Sequence, residues 1–285
     1  MKLIRFGKAG KEKPGVLLED GVRLDVSVFG SDYNEEFFAG NGLWHLAGWL
    51  EKNSYSAPRI DRGVRLGSPI CRPSKIVCVG LNFRDHALES GMPIPNEPVL
   101  FFKSTTALVG PDDHLVIPRN AHKVDWEVEL AVIIGKQAKY VPRENALEFI
   151  AGYALHNDYS ERSFQLERGG QWVKGKSADT FAPLGPYMAT TDEVPDTSNL
   201  KMWLTVNGTV RQKSTTAQMI FDVPSIVSYC SEFMTLLPGD VISTGTPAGV
   251  GLGLRPPVYL KSGDLVELGV ERLGQSSQNV VALSP

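Results

Sequence analysis

Cysteine is scarce in this chain: Cys71, Cys78 and Cys230 are odd in number and lack the close spacing of a metal-binding cluster. A disulfide framework and a cysteine-built zinc site are therefore excluded. No apolar run approaches the roughly 20 residues that cross a bilayer. The opening Met1-Lys2-Leu3-Ile4-Arg5 is too poor in apolar residues for a signal peptide. A reducing, cytoplasmic location is expected. Basic charge is not in excess either, since 29 Lys and Arg stand against 32 Asp and Glu, for a net charge of -3. Without a basic cluster there is no electrostatic footprint for nucleic acid or for an anionic membrane surface. Internal repeats and low-complexity tracts are also missing. What remains is ordinary globular composition, 42% hydrophobic over 285 residues, enough for one large domain with a small one beside it.

Residues 1–70 alternate short apolar segments with turn signals, at 3–6, 15–18 and 22–26, with Asp20-Gly21 between the last two. They read as a small β-rich N-terminal domain, with a helix near residues 43–52. The segment 66–73 connects it to a main domain over 71–285. The main domain begins with a strand over 75–79 and continues as short strands punctuated by Gly and Pro, with two or three helices. Regular strand–helix alternation is absent, so a mixed, β-rich α+β fold is expected rather than a doubly wound sheet. The Asn207-Gly208-Thr209 sequon reads as a hairpin turn and not as a glycan site. One helix is well signalled, with Asp222 or Ser225 as cap, Pro224 in the first turn, apolar residues from Ile226 to Met234, and Pro238-Gly239 as a stop.

The most informative segment is 124–135, where acids interrupt what otherwise reads as a buried strand. At the two-residue period of a strand, Trp126, Val128, Leu130, Val132 and Ile134 share one face, and Asp125, Glu127 and Glu129 share the other. Carboxylates without compensation are costly to bury. The cluster is therefore a solvated acidic face, protonated, or neutralised by a cation, a divalent ion above all. Asp158, in His156-Asn157-Asp158-Tyr159-Ser160, closes an apolar segment over 149–155 and suits a third oxygen ligand, although Asn-Asp is also common as a turn or cap. Glu127, Glu129 and Asp158 with water would form a hard-cation site, fitting Mg²⁺ or Mn²⁺ better than zinc.

His86 and Glu89 stand three apart on a helix that follows Gly80-Leu81-Asn82-Phe83, so they are expected to be neighbours. A carboxylate beside an imidazole fixes its tautomer and favours proton uptake, which serves a general base; the alternative is a surface ion pair. Residues 170–177 match the phosphate-loop pattern G-x-x-x-x-G-K-[ST] in full. A phosphate loop needs an apolar strand before it and a helix after it. Residues 160–169 are polar, and Ala182-Pro183-Leu184-Gly185-Pro186 forbids the helix, so nucleotide binding is rejected. Lys176 is kept as a cation near a developing oxyanion. Residues 240–251 form a strand running into a Gly-rich loop. That loop fails the dinucleotide pattern, and it is either a structural turn or a loop whose amides and Thr246 hydroxyl approach a substrate carboxylate.

In order along residues 75–269, Gly80-Leu81-Asn82-Phe83-Arg84-Asp85-His86, Asp125-Trp126-Glu127-Val128-Glu129, Asn157-Asp158-Tyr159-Ser160-Glu161-Arg162, Gly175-Lys176-Ser177 and Thr244-Gly245-Thr246-Pro247-Ala248-Gly249 resemble the signatures of the fumarylacetoacetate hydrolase family. The resemblance implies a β-sandwich or roll catalytic domain, a homodimer, and Mg²⁺ or Mn²⁺ held by Glu127, Glu129 and Asp158. It further implies that His86 with Glu89 activates water. Arg84, Lys103, Arg162, Gln165 and Lys176 would face the substrate, Thr246 would contact its carboxylate, and the charged stretch 161–170 would close over the site.

The implied reaction is cleavage of a 2,4-diketo acid between C3 and C4. By closeness of resemblance the substrate is 2,4-didehydro-3-deoxy-L-rhamnonate or the fuconate, giving pyruvate and lactate. Oxaloacetate decarboxylation, keto-dioate isomerisation and ureidoglycolate lysis are alternatives on the same fold. A non-catalytic sugar-acid-binding protein is the alternative of another class.

Overall fold

The computed structural model describes residues 1–283. It is a sheet-rich α+β chain, as the Gly and Pro punctuation predicts. A 12-stranded mixed sheet runs through the molecule. Its N-terminal strands Lys2–Phe6, Lys13–Leu17, Arg23–Asp25 and Arg59–Ile60 occupy one end, joined to the rest where Lys2–Phe6 pairs with Ala182–Thr190. The order then continues through Ile150–Asn157, Val128–Ile134, Val241–Ser243, Ile76–Gly80 and the edge strand Val99–Lys103. A five-stranded sheet containing Lys201–Val206, Leu265–Val270 and Gly274–Ala282 packs against the central strands. Both faces of those strands are therefore covered, and every residue of Val128–Ile134 and Ile150–Asn157 is buried.

The local signals act as read. Asn207 (φ 51°) and Gly208 (φ 74°) make the left-handed turn that joins Lys201–Val206 to Thr209–Thr215, with Val206 opposite Thr209. The helix Gly42–Asn53 covers the expected segment. Asp222 caps the helix Val223–Phe233 by accepting from the Ser225 N–H at 3.0 Å, and Pro224 sits in its first turn. That helix ends earlier than expected. Met234 is already extended, because Leu236 is drawn away to exchange backbone hydrogen bonds with Ala138. Among the described residues no helix is long and apolar enough to cross a membrane, and the three cysteines are unpaired.

Candidate active site

The site grows from one antiparallel pairing. Val128–Ile134 and Ile150–Asn157 match Glu129 with His156 and Val128 with Asn157. One step beyond the ladder, the Asp158 N–H donates to the Glu127 carbonyl at 2.9 Å, and Asn157 Oδ1 accepts from the Glu127 N–H at 3.0 Å. Strand period and hairpin end therefore bring Glu127, Glu129 and Asp158 together, with oxygens within 4.8 Å of one another and all three side chains buried. Asp125 does not join them. The strand breaks after it, and its carboxylate accepts from Arg162 Nε at 2.8 Å and from the Gly251 and Leu252 N–H groups.

Buried cations balance most of this charge. Lys176 Nζ bridges Glu127 and Asp158 at 2.7 and 2.8 Å, Lys103 Nζ meets Asp158 at 2.5 Å, and Arg162 Nη2 meets Glu127 at 2.6 Å. Burial alone would push Asp158 up, but Lys103 and Lys176 hold it below the usual carboxylate range. Glu129 has no cation of its own, and burial, followed by repulsion from Asp158 and Glu127, pushes it well up. Asp125, Glu127, Glu129 and Asp158 face Lys103, Arg162 and Lys176, one acid more than there are cations. The donor set is all oxygen, and among the described residues Glu129 is the acid without an ion-pair partner, the one a bound cation would hold ionised. These residues fit a divalent cation, Mg²⁺ or Mn²⁺ by donor type.

Glu129 is held from behind. Its Oε2 accepts from Ser243 Oγ at 2.5 Å and from the Gly245 N–H at 2.8 Å. Because the Ser243 proton goes to Glu129, its oxygen accepts from His156 Nδ1 at 2.7 Å. Burial pushes His156 down to about 3, so the ring is neutral, and its buried Nε2 has no partner among the described residues.

Facing the carboxylates across a cavity of about 300 Å³ is the helix Arg84–Ser90. The turn into it holds Leu81 at φ 51°, a strained conformation for a bulky residue. Asn82 pins that turn by donating to the Phe221 and Thr244 carbonyls. His86 lines the cavity, with Nδ1 3.2 Å from Glu89 Oε2, so the expected pair forms. A carboxylate cannot donate, so Nδ1 carries the proton and Nε2 is the ring nitrogen left as base.

Arg162, Gln165, Lys176 and Thr246 also line the cavity. Gln165 Oε1 accepts from Arg162 Nη1 at 3.1 Å, so its amide nitrogen is the group left for a ligand. Two expected substrate contacts lie elsewhere. Arg84 is exposed and donates to the Met219 carbonyl, turned away by the helical period that brings His86 inward. Lys103 is sealed behind Asp158. The Gly-rich loop follows the structural one of its two readings, because its amides serve the chain's own acids: Gly245 donates to Glu129, Gly249 to Glu89, and Gly251 to Asp125. The Thr246 hydroxyl is likewise committed, donating to the Val128 carbonyl and accepting from Gln212.

The phosphate-loop pattern dissolves in the same way. Residues 170–177 follow the helix Arg162–Leu166, not a strand, and themselves form the single turn Val173–Lys176. A Cβ on Gly175 would lie 2.5 Å from the Glu161 carbonyl, so this glycine serves close packing rather than phosphate approach. Three contributors to the site carried no signal of their own in the sequence: Ser243, His156 as its partner, and Trp172, which lines the cavity above Gly80.

Fold and site together define a sheet-rich α+β enzyme with an acid-floored cavity. The chain belongs to the fumarylacetoacetate hydrolase family, whose C-terminal model matches residues 75–281. A relative from Burkholderia multivorans, named no more finely than hydrolase, is 47% identical over 279 residues, covering 98% of each chain. The solved fumarylacetoacetate hydrolase of Exiguobacterium antarcticum superposes with a TM-score of 0.87 at 37% identity, over 99% of this chain and all of that one. Maleylpyruvate hydrolase from Sphingobium sp. SYK-6, solved with manganese(II) and pyruvate, superposes with a TM-score of 0.84 at 31% identity over 100% of both chains.

Proposed function

We propose that this enzyme hydrolyses the C3–C4 bond of a 2,4-diketo acid, releasing pyruvate and a carboxylic acid, and that it requires a divalent cation. The deoxy-rhamnonate or fuconate diketo acid, yielding lactate as the second product, is the leading substrate. The observation that carries this reading is the buried Glu127, Glu129 and Asp158 cluster, of which Glu127 and Glu129 line the same cavity as His86, itself paired with Glu89. When bound there, Mg²⁺ or Mn²⁺ would supply Lewis-acid stabilisation to the 2-oxo acid end.

The chain's own residues do the rest. His86 Nε2 takes a proton from water while Glu89 holds the imidazolium through Nδ1. The hydroxide adds to C4, and the oxyanion formed there accepts from Lys176 Nζ and the Gln165 amide, groups already fixed in the floor. Collapse returns the electron pair to the C4 carbonyl and breaks C3–C4. The pair on C3 delocalises into the neighbouring 2-oxo group, and C3 takes up the proton that His86 removed from water, giving pyruvate and restoring the base.

The test is pyruvate release from a panel of 2,4-diketo acids, with Mg²⁺ or Mn²⁺ and with a chelator. Release abolished by the chelator and restored by metal is the expected result. Absence of release from every diketo acid, with turnover of oxaloacetate instead, would replace this reading with decarboxylation.

A further inference from the structure

We infer that the substrate is a monocarboxylate whose acyl end is short and apolar, terminating in a methyl group and not in a second carboxylate. The inference rests on the hydrolase reading and concerns the wall of the same cavity. Charge in this cavity is confined to the floor acids, their cations and His86, while Leu81, Met92, Phe101, Leu166, Trp172 and Leu252 supply an apolar wall. The lining cations are Arg162 and Lys176, and both are tied to floor carboxylates. A carboxylate at the far end of a substrate would leave water without meeting a counter-charge.

Hydroxyl groups in the lining are equally committed. Ser90 Oγ donates to the His86 and Ala87 carbonyls at 2.9 and 3.2 Å, and Thr246 donates to Val128. A polyol chain would find few partners, whereas a methyl end would bury its surface against Trp172 and Phe101.

This wall is constructed. Gly80 ends its strand without a side chain, and a Cβ there would lie 2.7 Å from the Trp172 ring. The indole therefore seats over the backbone and meets Phe101 edge-on, with ring centroids 5.2 Å apart. Phe101 in turn lies under Lys176, whose Nζ is 4.9 Å from the ring centroid. The apolar wall thus begins directly at the floor cation that is proposed to meet the oxyanion, so the acyl group attached at C4 faces it.

The experiment compares 2-oxohexanoate with 2-oxoadipate, two acids of equal chain length that differ in a terminal methyl or carboxylate, by thermal stabilisation of the protein in saturating Mn²⁺. The expected result is tighter binding of 2-oxohexanoate by about tenfold or more, the scale on which an unmatched polar group is rejected. Equal or tighter binding of 2-oxoadipate would overturn the inference, and binding of neither would overturn the site itself. In parallel, pyruvate release from acetylpyruvate and butanoylpyruvate is compared with release from maleylpyruvate. Hydrolysis of none, with the binding preference intact, would remove the hydrolase reading and leave the wall's selectivity standing. Hydrolysis with the diacid favoured would do the reverse. Leu166→Arg, at a half-exposed position, places a cation in the wall and should close the gap between the two oxo acids by about tenfold. An unchanged gap in that variant would show that the wall does not set the preference.

Discussion

The floor and the wall of the cavity are held by different forces. The floor acids lie on or just beyond paired strands at the centre of the large sheet, their cations come from short helices and the edge strand, and each is fixed by partners from several elements. Glu129, for example, is held by Ser243 and by the Gly245 amide. Wall side chains come from turns, short helices and the edge strand Val99–Lys103, and several stay partly exposed, Met92 at 55% and Leu166 at 48%. They are held by contact and ring geometry. Hydrogen-bonded charge in a dry interior is directional and leaves no slack, because a partner lost leaves a charge unpaired. Dispersion contact is non-directional and tolerates exchange of shape. The floor is therefore suited to fixing the chemistry, and the wall to choosing the substrate without disturbing it.

The largest expected effect separates chemistry from the floor's hold on metal. His86→Ala should lower kcat by about 10²–10⁴, as expected for a lost general base. Thermal stabilisation by Mn²⁺ should remain, since His86 pairs with Glu89 and not with the three carboxylates. Unaltered turnover would take His86 out of the mechanism. Next is a variant that touches neither substrate nor cavity. Ser243→Ala removes the donor that orients Glu129 and leaves neutral His156 without its acceptor. Loss of such an outer hydrogen bond is expected to weaken Mn²⁺ binding by about 10–100-fold. Calorimetric titration of the metal reads this directly, and wild-type affinity would show that the Gly245 amide alone holds the carboxylate.

The same division explains what the sequence discloses. Glu127, Glu129 and the His86–Glu89 pair follow from periods of two and of three to four, which are local, and the Asn207-Gly208 turn and the Asp222 cap are equally local. Asp158 is legible because it ends an apolar segment. Partners set by tertiary contact are not legible. Nothing near Asp125 announces Arg162, 37 residues away, and nothing near Ser243 announces Glu129, 114 residues away. Arg84 and Lys103 sit in motif-bearing segments, yet neither lines the cavity, because a motif fixes residue type and not direction. Close packing in wall and floor left one trace, a glycine at each close approach. Gly80 lies under Trp172, and Gly245 (φ 101°) leaves only 2.8 Å from a would-be Cβ to Asn82. A glycine shows that something comes near without showing what.

Gly80→Ala tests the wall alone. The added Cβ displaces the indole, which can swing toward solvent because Trp172 is only half-buried. The expected result is a KM for an apolar-ended diketo acid raised by about tenfold or less, with kcat and metal binding unchanged, the pattern of lost uniform binding. A fall in kcat of the size seen for His86→Ala would mean that wall and floor are not separable.

The smallest effect lies in the N-terminal region, where a partly exposed ion pair provides a contrast with the floor. Arg5 donates to both oxygens of Asp32, at 2.8 and 2.9 Å, and the Asp32 side chain keeps 30% exposure. Burial would raise Asp32, but the hydrogen bonds from Arg5, Cys71 and the Tyr33 N–H together with the Arg5 charge outweigh it and hold the carboxyl below its ordinary value. A carboxyl whose folded pKa lies below the unfolded value of about 3.9 contributes stability that is present above that value and is lost as pH falls through the folded one. With water screening the pair, the contribution is expected to be about 1 kcal/mol or less. Urea unfolding midpoints at pH 5 and pH 3 should therefore fall further for the wild type than for Asp32→Asn. Equal falls would show that the pair contributes nothing, which would widen its contrast with the buried carboxylates of the floor.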